Sequence, residues 1–291
     1  MGNVVQSINN QIAIFKAREL DLSCYDEAKL KEILLDIGYY RLGFYCYYYF
    51  DKKTKKYSNT VKFSDIINLY YLDVDLKYLL LRYINRIEIN FRTKLIYYVS
   101  MKYKDKSKWF VDVTIMEPET IIAFKNKIYT EKFKQDNLSL KKHHHKYPED
   151  DFAPCWKVFE YLTFGAIITI LDNIKDQSVK QIIADKYDIR DLNKFFRLLH
   201  TVRQVRNICA HSGILFDYTL PLSVNSIPQI AYNIGDRNSL DASIKVIGFF
   251  IQCISENRFN DFQNEIKSFF NERKKDPFLA KVIKDHIKYL D

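Results

Sequence analysis

Apolar residues recur at three- and four-residue spacing through most of the chain, the period of a core-facing helical stripe. The longest stretch runs on from Leu76: Leu80, Tyr83, Ile84, Ile87, Phe91, Leu95 and Tyr98 share one face. Ser64 is placed to cap a helix starting at Asp65, and Asp75 to cap the helix that carries this stripe. Upstream, Val5 to Leu20 reads as a short helix, and Asp26 caps Glu27 to Ile37, which Gly38 closes. The aromatic run Tyr39 to Phe50 reads as a buried apolar segment, and its lone Arg41 calls for a carboxylate partner. Asp51 to Thr60 is a basic polar loop, and Pro148 to Pro154 is the clearest break. Beyond it, Trp156 to Asn173, Val179 to Tyr187 and Leu192 to Ser212 are helical in pattern, and Gly165 predicts close packing of another helix. A loop-rich stretch from Ile214 to Asp236 precedes three last helices, Ser239 to Ser255, Phe259 to Glu272 and Pro277 to Leu290. With only 7 Gly and 6 Pro to make turns, the pattern predicts an all-α fold with almost no strand. It divides into an N-terminal helical and aromatic segment (1–60), a helical core (61–217) and a C-terminal helical extension (218–291), expected to pack as one unit.

The candidate chemistry lies in Val202 to Gly213, read as the last turns of a helix. Val202, Val205 and Cys209 form its core stripe, and Gly213 stands where a left-handed residue commonly ends a helix. His200, Arg203, Asn207 and His211 recur on a polar face. Arg206 lies at the border, roughly 140° around the axis and about 7.5 Å along it from His211. A guanidinium grips phosphate through a planar fork, and an imidazole moves protons near neutral pH. Arg206, Asn207 and His211 around one phosphodiester would suffice to cleave RNA without a metal, with Arg stabilising the growing charge. DNA lacks the 2′-hydroxyl this needs. The same spacing also fits a solvated polar stripe.

Charge extends the RNA reading. The chain of 291 residues carries a formal net charge of +9, which suits a polyanionic partner. Between Phe124 and Lys146, Lys125, Lys127, Lys132, Lys134, Lys141, Lys142 and Lys146 face only Glu131 and Asp136, with Phe124, Tyr129 and Phe133 interleaved. This stretch is the best candidate for a backbone-gripping RNA surface, its alternative being a solvated helix face. Lys274, Lys275, Lys281, Lys284 and Lys288 form a second basic set. His143, His144 and His145 read as part of the basic loop, because three adjacent residues cannot all face one ion; no metal or cofactor is expected. The 5 cysteines are scattered with no paired spacing, which predicts reduced thiols. Met1 to Asn10 is polar, and no apolar run nears the roughly 20 residues of a membrane span. The expectation is a cytoplasmic protein with no membrane contact. Glu88, at the edge of the long stripe, needs a partner: an ion pair with Arg92 or Arg41, or a supporting role holding His211 or Arg206.

Arg206-Asn207-Ile208-Cys209-Ala210-His211 resembles the R-N-x-x-x-H signature of HEPN domains, and its fuller form resembles the abortive-infection AbiD/AbiF-like (Abi_2-type) proteins of bacterial phage defence. Three further segments are similar to that family: Tyr40-Arg41-Leu42, Ile84 to Ile89 followed by Arg92, and Trp156 with Glu160 to Gly165. Their order matches over about residues 35 to 217. Where the family often carries a second His or a basic residue, Ser212-Gly213 follows His211. The resemblance implies a HEPN-like helical bundle, with Arg206 and His211 lining a cleft commonly completed by a second subunit in a homodimer. It implies RNA as partner, in some relatives a structured non-coding RNA. Three functions fit: a ribonuclease toxin leaving 2′,3′-cyclic phosphate, with Arg206, Asn207 and His211 catalytic and Glu88, Arg203 and His200 supporting; a non-catalytic RNA-binding protein; or a dimerisation module.

Overall fold

The computed structural model describes residues 4–211 and 213–290. The described residues are 65% helical and include fourteen α-helices, beside one two-stranded hairpin of Phe50–Asp51 paired with Lys56–Tyr57. In order they are α1 (Ile8–Ala17), α2 (Glu27–Asp36), α3 (Tyr39–Cys46), α4 (Phe63–Lys102), α5 (Pro118–Lys127), α6 (Glu131–Asp136), α7 (Leu138–Lys146), α8 (Cys155–Val158), α9 (Phe164–Asp172), α10 (Gln177–Asp185), α11 (Leu192–Ala210), α12 (Leu240–Ile254), α13 (Glu256–Arg273) and α14 (Pro277–Val282). Most starts follow local capping chemistry: Asp26, Asp191, Ser239 and Ser255 each accept a backbone N–H of the helix they precede.

The architecture is set by α4, a helix of 40 residues and roughly 60 Å. It is buried on one stripe from Ile66 through Leu80, Ile87 and Phe91 to Val99. Helices α3, α9, α10, α11, α12, α13 and α14 all pack against it. Elements from both ends of the chain therefore share one core, running from Ile12 to Ile287.

The break expected before Asp75 does not occur. An aspartate caps a helix when its carboxylate has nothing better than the local backbone. Here Asp75 pairs with Arg273 of α13, and the nearby Asp73 is drawn into the core by tertiary partners described below. The actual start uses Asp65, whose carboxylate accepts the Lys62 backbone N–H at 2.8 Å.

Three other expectations are corrected. The aromatic run from Tyr39 is only half buried: Leu42, Tyr45 and Cys46 enter the core, whereas Tyr40, Phe44, Tyr47 and Tyr48 are exposed. Gly213 is not left-handed. It is needed for close approach, since a Cβ there would lie 3.1 Å from Ile208 Cγ2. The final helix is short, breaking into a wider turn over Ile283–Ile287 and a left-handed Lys288. Gly165 does face α11, where a Cβ would touch Arg203 Cδ at 3.4 Å.

Candidate functional site

Helix α11 buries Phe195, Leu198, Leu199, Val202, Val205 and Cys209 and leaves Asn207 and Ala210 exposed. Burial pushes the Cys209 thiol up to about 12, so it is an inert core group. The helix ends at Ala210, and His211 caps it in an extended conformation. Ser212 lies outside the described residues.

Glu88 settles on Arg206. Arg206 Nε donates to Glu88 Oε1 at 2.9 Å, joining α11 to the middle of α4. The carboxylate is 11% exposed and the guanidinium 28%. The pair is thus anchored on the acid and open on the base. One nitrogen of the fork is spent on Glu88, and among the described residues neither terminal amino group has a partner. Arg92 turns away from Glu88 to Glu160 at 3.5 Å and to the Leu162 carbonyl at 3.2 Å. Arg41 lies over the Tyr45 ring at 5.9 Å.

Arg206 faces a shallow cavity of about 360 Å³, lined also by Arg82, Asn85, Glu88 and Ala210. Beyond Arg82 and Asn85 a second cavity of about 280 Å³ continues between α4 and α13, lined by Arg86, Arg258, Asp261 and Glu265 among others. Four arginines therefore follow one groove. Arg82 pairs with Glu265, while the buried Nε of Arg86 has no hydrogen-bond partner among the described residues.

Asn207 and His211 are exposed beside this groove, and neither side chain has a hydrogen-bond partner among the described residues. Neither lines the cavity that Arg206 faces. Within one chain, therefore, His211 does not share the cavity that Arg206 lines. Arg203 and His200 lie on the α9 side, Arg203 packing over Gly165. His200 is held below its usual pKa range, first by burial and then by the Arg203 guanidinium, and its Nδ1 is buried without a partner. These two are separated from the Arg206–Glu88 pair.

The loop leaving His211 is fixed by a buried cluster that the sequence pattern did not flag. Asp73 Oδ1 accepts the backbone N–H groups of Leu215 and Phe216 at 2.8 and 2.7 Å. Its Oδ2 takes the Tyr45 hydroxyl at 2.9 Å and the Lys77 ammonium at 2.6 Å. Lys77 also donates to the Gly213 carbonyl at 2.5 Å. An acid and a base one turn apart inside an apolar stripe were the available signal. Arg82, Asn85 and Arg258 were missed because nothing local separates them from surface polar residues.

The basic segment divides by side-chain type. Phe124 and Tyr129 are buried and Phe133 is partly buried, packed ring against ring among themselves and on Phe110 and Phe152. They hold α5, α6 and α7 to the core and offer no face to a base. Lys125, Lys127, Lys132, Lys141, Lys142 and Lys146 are exposed, whereas Lys134 is mostly covered and paired with Glu131. The histidines are not a loop but the last turns of α7. His143 is buried between Asp150, at 3.0 Å, and Lys157, at 3.3 Å. His144 meets the Tyr129 hydroxyl at 2.8 Å. Both imidazoles are held below their usual pKa range, chiefly by burial. Among the described residues no three His, Cys, Asp or Glu side chains converge as a metal site would require.

The family-like segments meet around α4: Glu88 holds Arg206, Arg92 holds Glu160 and Leu162, Gly165 lies on Arg203, and α3 packs alongside. A model of the Abi-like protein family matches residues 32–217. The chain belongs to the Abi-like family. That membership links it to abortive infection, a form of phage defence. No curated protein and no solved structure gives a match. Among the described residues no helix is long and apolar enough to cross a membrane.

Proposed function

We propose that this Abi-like chain is an RNA-binding, HEPN-like endoribonuclease that acts as a toxin, with a catalytic centre completed across a homodimer. The observation that carries this reading is the Arg206–Glu88 pair. A mostly buried carboxylate fixes an arginine by one nitrogen and leaves the rest of its fork open on an arginine-lined groove. That arrangement suits a phosphate: bidentate capture needs a held guanidinium, and flanking arginines can follow the backbone. In the reaction, His211 takes the proton of the ribose 2′-hydroxyl. The 2′-oxygen forms a bond to phosphorus, and the bond from phosphorus to the 5′-oxygen breaks. The leaving oxygen takes a proton from a general acid, and the products are a 2′,3′-cyclic phosphate and a 5′-hydroxyl. Arg206 stabilises charge on the non-bridging oxygens, and Asn207 orients the phosphate or the ring. Because His211 does not line the cavity that Arg206 lines in one chain, a second copy supplies the opposing imidazole as the acid. The lysines of α5, α6 and α7 hold the RNA backbone outside the centre.

A binding-only reading is favoured by one feature: His211 is exposed with no hydrogen-bond partner for its ring among the described residues, and Ser212-Gly213 follows it in the sequence. The decisive experiment sequences RNA that copurifies with the protein and maps cyclic phosphate ends. In cells, His211→Ala should abolish cleavage and toxicity with RNA binding nearly intact, a loss of roughly 10²–10⁴-fold in rate. Arg206→Ala should lose both. Cleavage should survive a chelator. Full toxicity of His211→Ala would end the catalytic reading in favour of binding alone.

A further inference from the structure

The exposed half of the aromatic run forms a site of its own. Tyr40, Phe44 and Tyr47 recur at helical spacing on the outer face of α3 and the turn after it, opposite the buried Leu42 and Tyr45. They line a groove of about 480 Å³ that also takes in Tyr48, Arg18 and Lys52. Tyr40 is 80% exposed and Tyr47 56%, which is unusual for residues that normally bury their rings. Gly43 leaves the groove open, with nothing within 4 Å of where a Cβ would stand.

Charge and position say what fills it. Among the described residues the groove is lined by two cations and no carboxylate, and neither cation has an ion-pair partner there. Lys52 Nζ lies 5.0 Å from the Tyr47 ring centre, and the Arg18 guanidinium lies 5.2 Å from that of Phe50. Tyr40 meets Phe44 edge-on at 5.1 Å and Tyr47 meets Tyr48 at 6.3 Å; exposed rings beside cations suit a ligand that alternates flat apolar groups with negative charge. Ile214 forms part of the wall. It is three residues from His211, so at most about 11 Å of chain separates them. The lysine-rich helices, by contrast, bury their aromatics and offer charge alone.

We propose that this groove is a base-stacking subsite for single-stranded RNA: unpaired bases lie on Tyr40, Phe44 and Tyr47, and Arg18 and Lys52 meet the adjoining phosphates. The inference rests on the RNA reading of the Arg206 site and deepens it. It makes the ligand an unpaired strand, held on the side of α11 where His211 emerges. Stacking gives affinity without sequence readout, and removing one ring should weaken binding by roughly 5- to 150-fold.

The test uses the full chain and a fluorescein-labelled 12-nucleotide oligoadenylate, with affinity read by anisotropy and oligomeric state by light scattering. Tyr47→Ala and Tyr40→Ala should each weaken binding at least about 5-fold without changing oligomeric state, and Tyr47→Trp should restore it. Oligouridylate carrying 4-thiouridine should crosslink to peptides holding Tyr40 or Tyr47. If the alanine variants bind like wild type, or if they dissociate the oligomer and lose affinity only for that reason, the groove is not a stacking site. If the native protein binds other RNA but no oligoadenylate, this subsite is likewise overturned and the Arg206 reading stands. If it binds no RNA at all, both fall.

Discussion

Removing the Asp73 carboxylate should loosen the segment that carries the chain away from His211. Asp73 is fully buried and takes four hydrogen bonds, two from the backbone of Leu215 and Phe216, one from Tyr45 and one from Lys77. Asp73→Ala orphans two backbone N–H groups and leaves Lys77, 5% exposed, with an uncompensated charge. Breaking a buried ion pair from one side typically costs about 3–5 kcal/mol, and the orphaned donors keep the value from the low end. Lys77→Met is milder, because Asp73 keeps three donors; about 1–3 kcal/mol is expected for this partly hydrogen-bonded case. The double variant should cost clearly less than the two losses added together, since the second change removes the charge the first one stranded. Urea denaturation measures this as a fall in midpoint at unchanged slope. Hydrogen exchange at the Leu215 and Phe216 amides should accelerate in Asp73→Ala beyond the change expected from global stability. A loss under about 1 kcal/mol, or strict additivity in the double variant, would refute the view that this cluster fixes the loop.

Three further outcomes follow from the site. Glu88→Ala should reduce RNA cleavage while leaving His211 untouched, because Arg206 loses its anchor, and Glu88→Gln should retain part of the activity because an acceptor for Nε remains; equal activity in both variants and wild type would remove Glu88 from any positioning role. Replacing Lys132, Lys141 and Lys142 by Ala should weaken RNA binding across sequences and flatten its salt dependence by roughly three phosphate contacts, whereas Lys134→Ala, already paired with Glu131, should do little. His200 should make the fold sensitive to mild acid. Its folded pKa lies below the ordinary histidine value, so the unfolded chain takes up the proton first. The neutral form's stability is whole above about pH 6.5 and is lost as pH falls toward the folded pKa. Thermal midpoints measured from pH 7.5 to 5 should fall less steeply in His200→Gln than in the native protein.

The periodic stripes of α4, α11 and α12 could be read from the chain because burying one face of a helix repeats the same residue types every turn, a local and redundant signal. The caps at Asp26, Asp191 and Ser239 are local in the same way, although only Asp26 is read as a cap from the sequence. The R-N-x-x-x-H motif was legible too, as was the need of Glu88 for a partner. Which partner it takes was not, because Arg206, Arg92 and Arg41 are equivalent cations until α4, α9 and α11 are packed. The same limit explains Asp73 and Asp75. Each is a good cap by sequence, and only tertiary partners 142 residues and 198 residues away make each more useful inside a continuous helix. Aromatic residues were ambiguous for a related reason. Tyr129 and Tyr47 are the same chemical type in equally aromatic surroundings, yet one is buried among rings and the other lines an open groove. Hydrophobic periodicity fixes which residues share a face; whether another element covers that face depends on the packing of the whole chain.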